Sequence, residues 1–60
     1  MYIFEATISN AMVNSYRVVT IRVNESDYAS EREIFAAAMV KAFDECKSME
    51  IVSVLEFIGG

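Results

Sequence analysis

The chain has no histidine, no proline, no tryptophan and a single cysteine, and each absence removes a class of chemistry or of structural support. Without histidine, Cys–His nucleophile pairs are excluded and a zinc site would have to be built from acids alone. One cysteine, Cys46, cannot close an intramolecular disulfide. The only glycines are Gly59 and Gly60, so no glycine-rich loop is present to cradle a phosphate. The five basic residues, Arg17, Arg22, Arg32, Lys41 and Lys47, are scattered through a chain of net charge −4, and no basic stripe tracks a nucleic-acid backbone. No stretch of about 18 consecutive apolar residues occurs, and the opening MYIFEATISN lacks the basic segment of a secretion signal. The expectation is a cytoplasmic protein that binds neither membrane nor nucleic acid directly. It has no catalytic residues, no cofactor and no metal, and is not an enzyme.

What is present is apolar. Hydrophobic residues make up 55% of the 60 positions, which points to a folded chain. A domain this small buries only about 60% of the surface its unfolded chain exposes, so its core needs help. Disulfides and metals are unavailable, and self-association is the support that remains.

Two periodicities divide the chain. In YIFEATIS the residues Tyr2, Phe4, Ala6 and Ile8 share one face and Ile3, Glu5 and Thr7 the other, the period-2 pattern of a half-buried strand. SYRVVTIRV repeats it, with Val19, Ile21 and Val23 inward and Tyr16, Val18, Thr20 and Arg22 outward. The spacing predicts strands over about 2–9 and 15–23, joined by a hairpin loop longer than usual. Asn10 and Asn14 suit its left-handed backbone, and Met12 and Val13 lie near its tip.

From Ser30 the period becomes helical. Ser30 and Glu33 have the form of a capping box, and Glu31 and Glu33 suit the positive end of the helix dipole. A helix is predicted over about 31–47, with Phe35, Met39, Ala42 and Cys46 as its inward stripe, Ala38 and Phe43 flanking it, and Lys41, Asp44, Glu45 and Ser48 opposite. The last segment, 51–58, is a strand with no polar face, since Ile51, Leu55 and Phe57 occupy one side and Val52, Val54 and Ile58 the other.

The layout is one α+β domain over residues 1–60, ββαβ, with a three-stranded antiparallel sheet of order 2-1-3 and one helix packed on one face. A single helix covers only one face of such a sheet, while a strand apolar on both sides needs covering on both. The uncovered face, or the free edge of the last strand, is the candidate homodimer surface, with Ile3, Val18, Val52, Val54 and Ile58 as its expected contacts.

The succession SYRVVTIRV, SEREIFAAAMVKAFDE and EIVSVLEFIG resembles small uncharacterised ββαβ proteins of phages and other bacterial mobile elements. In these a T-V-x-V-x-A strand is followed by a Ser-led helix rich in Glu and Ala and then by a short final strand. The resemblance spans nearly the whole chain and implies an origin and a topology. It carries no functional residue across.

Three functions remain open. The first is a small acidic protein-interaction module, a phage or mobile-element accessory protein acting as a homodimer on a host or phage protein in the host cytoplasm. Its expected partner contacts are Met12, Val13, Glu25, Asp27, Tyr28, Glu31 and Glu33. The second is a DNA-mimic inhibitor of a nucleic-acid enzyme that presents Glu25, Asp27, Glu31 and Glu33 in place of phosphates. In being short, acidic and ββαβ the chain is similar to some phage inhibitors of DNA-repair enzymes, but it has none of their motifs. The third is a carrier, because the terminal Gly59–Gly60 and the order hairpin, helix, strand look like the first half of ubiquitin-like and sulfur-carrier proteins. Cys46, on the predicted inward stripe, is read as a core residue.

Overall fold

Alternation in the first two segments produces the expected hairpin. The computed structural model describes all residues from Met1 to Gly60, with strands β1 (Tyr2–Asn10) and β2 (Ser15–Val23), a 3-10 turn at Glu25–Asp27, helix α1 (Glu31–Glu45) and strand β3 (Glu50–Gly59). The sheet is antiparallel throughout, in the order β2-β1-β3, and α1 packs on one face. β1 extends to Asn10, whose side chain accepts a hydrogen bond from the Met12 amide, and Asn14 takes the left-handed conformation at φ 50°. The loop is Ala11–Asn14, an ordinary hairpin length, because β1 extends further than the sequence pattern alone marks.

The core lies between α1 and the inner face of the sheet. Phe4, Ala6 and Ile8 of β1 and Val23 of β2 are fully buried, Ile21 is nearly so, and Ile34, Ala38 and Ala42 face them from the helix. Large side chains thus come from the sheet and small ones from the helix, which lets the two layers approach closely. Ser30 Oγ accepts a hydrogen bond from the Glu33 amide, and the Glu33 side chain in turn accepts one from the Ala29 amide, so α1 starts at Glu31.

The inward stripe of α1 shares Ala42 with the predicted one but is rotated about the helix axis. Ile34, Ala38 and Ala42 face the sheet, whereas Phe35 is 43% and Phe43 57% exposed, and Cys46 is only half-buried beyond the helix end. The helix is turned so that Ala38 and Ala42 join the core cluster with Phe4, whose bulk favours small residues opposite it. Lys41, exposed as expected, also donates to the Arg22 carbonyl at 2.7 Å on the β2 side. Phe35 lies edge-on to Phe4, with ring centroids 5.0 Å apart.

β3 breaks its alternation. Ile8 is opposite Val52 but Thr7 is opposite Val54, so Ser53 is an extra residue in β3, and a second irregularity falls between Phe57 and Gly59. A bulge shifts every side chain before it relative to those after it. Val52 therefore joins Leu55 against the core, and Ile51 takes the outer face with Val54. This reverses the predicted faces of Ile51 and Val52. The two serines mark the site, with Ser9 and Ser53 hydroxyls 2.8 Å apart and Ser53 also donating to the Thr7 carbonyl.

One charged contact joins three elements at the hairpin end. Arg17, which has the inward parity of β2, makes a bidentate pair with Glu50 (3.2 and 3.1 Å) and donates to the Glu45 carbonyl at 2.7 Å. The last turn of α1 contains no basic residue, and Arg17 supplies from β2 the cation that helix C-termini favour. Glu50 also accepts from the Lys47 amide at 2.7 Å, fixing the turn into β3. The hydrogen bonds from Arg17, then that from the Lys47 amide, hold the Glu50 carboxyl below its ordinary value, and Glu50 raises the Arg17 guanidinium further.

Two outcomes follow for stability. Phe4→Ala removes the largest buried side chain and is expected to cost about 3–5 kcal/mol. A chain of this length has only roughly 3–9 kcal/mol in all, so urea melts should find the variant largely unfolded; a loss under about 1 kcal/mol would contradict the packing described. Because the Glu50 carboxyl is lowered in the folded state, its contribution is complete above the unfolded carboxylate range and is lost as pH falls through the lowered folded value. Glu50→Gln should therefore lower the urea midpoint at pH 7, and the gap to the parent protein should narrow as pH falls through the acid range. A gap that does not change with pH would exclude the clamp as its source.

Candidate interaction surface

Residues opposite one another across antiparallel strands share a face, so the register lays out the uncovered side of the sheet row by row. From the Tyr2 end toward the hairpin, β2, β1 and β3 contribute Arg22, Ile3 and Gly59, then Thr20, Glu5 and Glu56, then Val18, Thr7 and Val54, and finally Tyr16, Ser9 and Ile51. The two rows nearest the hairpin are apolar at both flanks: Tyr16 is 74%, Ile51 62%, Val54 53% and Val18 52% exposed. Met12 and Val13 continue the apolar surface at the tip. The second row is acidic, with Glu5 and Glu56 directly opposite.

This face is large for the molecule. The Cα framework measures 38 × 18 × 13 Å, a thin slab, and exposes 4205 Å² where a globular chain of this mass exposes about 3,900 Å². Eight of sixty residues are buried, so most apolar side chains find only partial cover inside the monomer. The sheet edges are less available than the face. Lys41 occupies the Arg22 carbonyl of β2, and the irregularities at Ser53 and before Gly59 interrupt the ladder of β3, two devices that discourage strand addition.

Of the residues expected at a dimer surface, Val18 and Val54 stand together on the open face, Ile3 lies half-buried on the same face, and Ile58 is half exposed beside Gly59. Val52 is turned to the helix side and belongs to the core layer, for the bulge reason given above. Sequence reasoning placed Ile51 on the wrong side. Ser53, the lone polar residue inside an apolar run, was the available signal of the bulge. Tyr16 had the right parity but was not chosen, because its importance comes from Ile51 sharing its row.

The acidic segment does not form a ladder of free carboxylates. Glu25 is held by the Met1 ammonium at 2.8 Å, and that hydrogen bond, followed by backbone contacts, lowers its carboxyl below the usual range. Glu33 is engaged with the Ala29 amide, while Asp27 and Glu31 stay exposed. Asn24 caps the 3-10 turn by accepting from the Ser26 amide and hydroxyl. Tyr28 is 38% exposed and borders a shallow groove with Ala36, Ala37 and Val40. Met12 and Val13 are at the tip, remote from the acids.

The diglycine is part of the sheet. β3 runs through Gly59, which is opposite Ile3, and a Cβ on Gly60 would stand 3.3 Å from the Tyr2 ring. No group of three or more His, Cys, Asp or Glu side chains is arranged to hold a metal ion, and no helix is long and apolar enough to cross a membrane. Comparison with protein-family models, curated proteins and solved structures finds no match to this chain.

Proposed function

We propose that the chain is a small acidic protein-interaction module without catalytic activity, working as a homodimer in the cytoplasm on a protein partner. The resemblance of its strand, helix and strand segments to phage and mobile-element proteins supports an accessory role on a host or phage protein. One observation carries the reading: the apolar rows Tyr16–Ser9–Ile51 and Val18–Thr7–Val54 lie on a sheet face that no element of the chain covers. Exposed apolar patches of this kind, rimmed by polar residues, mark sites of association with other proteins.

The alternatives have less support. A DNA mimic needs its carboxylates free and spaced, and Glu25 and Glu33 are committed to contacts within the chain. A carrier needs a loose terminal tail, and Gly59 is paired in β3.

The surface is tested by Val54→Lys, which places a charge at one flank of the apolar rows without touching the core layer. The expected result is an unchanged far-ultraviolet circular dichroism spectrum with self-association weakened at least about tenfold, or about 1.4 kcal/mol, by sedimentation velocity. Unaltered association would remove the open face from the reading.

A further inference from the structure

Glu5 and Glu56 constrain how a partner can lie on the open face. They form the second row, while the third and fourth rows, toward the hairpin, offer Val18, Val54, Tyr16 and Ile51. The two longer Cα extents of the whole molecule, 38 × 18 Å, give a projected area of roughly 700 Å² within which the face lies, of the same order as the ~800 Å² per partner of a stable interface. A flat surface of that size matches another like it. The small core gains from further cover, and a second copy is the one partner always present in equal amount.

We infer that the open face is covered by a second copy, stacked face to face about a twofold axis that lies between the sheets, perpendicular to the strands, at the level between the third and fourth rows. β2 then lies over β2 of the other copy with the rows reversed, so that Val18 meets Tyr16 and Val54 meets Ile51. Glu5 comes over the Ala11–Asn14 loop, which carries no charge, and Glu56 over the start of β3 near Met49, so the carboxylates of the two copies are kept apart. Ile3 comes over the exposed Met12–Val13 tip, giving those side chains the cover they lack. The alternative axis, parallel to the strands, would also pair the valines. It would set Glu5 against Glu5 with Glu56 on each side, gathering four carboxylates in a desolvated layer, and like charges so placed are strongly unfavourable. The result is a four-layer assembly of helix, sheet, sheet and helix, its sheets about 10 Å apart.

This inference rests on reading the open face as an association surface, and one distance separates the two claims. Arg22 stands on the first row, outside the apolar patch, and Arg22→Cys in a Cys46→Ser background gives a single labelling site. With about 6.7 Å between rows and about 10 Å between sheets, the perpendicular axis puts the two labelled backbones about 35 Å apart, and the parallel axis about 14 Å. Pulsed electron spin resonance on the spin-labelled protein, together with its sedimentation mass, is the measurement. A dimer with a single population near the long distance is the expected result. A dimer with the short distance would overturn the perpendicular arrangement and leave the open face as the association surface. A monomeric mass with no inter-label distance would overturn both.

Discussion

A single 15-residue helix can shield one side of three strands, and in this chain both sides of the third strand are apolar. Val52, Leu55 and the buried residues of β1 and β2 consume the shielding that α1 provides. The rest of the surface is a consequence. Phe35 and Phe43 are left on the helix flank, Tyr16, Val18, Ile51 and Val54 on the open sheet, and Met12 and Val13 at the hairpin tip. For a chain of 60 residues, with no disulfide and no metal group, this is the composition of a core that is completed from outside.

Within the monomer, polar contacts set the relative positions of elements that hydrophobic burial alone would leave loose. Arg17 ties β2 to the C-terminus of α1 and to the start of β3, and Lys41 ties α1 to β2 at Arg22. Both cations reach carbonyls that would otherwise need water, and both lie where a helix of small residues slides easily over a sheet. The Ser9–Ser53 contact has a comparable role in β3, fixing the bulge that decides which valine and which isoleucine enter the core.

The topology was legible because its signals are local: period-2 alternation in β1 and β2, the Ser30–Glu33 cap, and a third apolar run long enough to pair beside β1. The order β2-β1-β3 then follows from the short hairpin and the return of the chain along α1. The site was less legible because its geometry depends on non-local events. A one-residue bulge at Ser53 exchanged Ile51 for Val52, and alternation without that bulge assigns both to the wrong face. Ala42 has its predicted inward place, but the rest of the helix stripe was misread because Phe35, Met39 and Cys46 are more hydrophobic than Ala38, whereas packing against Phe4 favours small residues. Arg17 looked like one of a few scattered cations; its inward parity in β2 was the clue that it had a partner inside the fold. The acids of residues 25–33 looked like a free cluster until the N-terminal ammonium and the Ala29 amide engaged two of them.

The central claim is that the open sheet face is covered in solution by a second copy. The most direct measurement is the mass of the unaltered chain by light scattering through a dilution series at neutral pH. The account predicts twice the 6.7 kDa chain mass at tens of micromolar, falling toward the monomer on dilution. A constant 6.7 kDa across the series would contradict it, because that face would then stand in water.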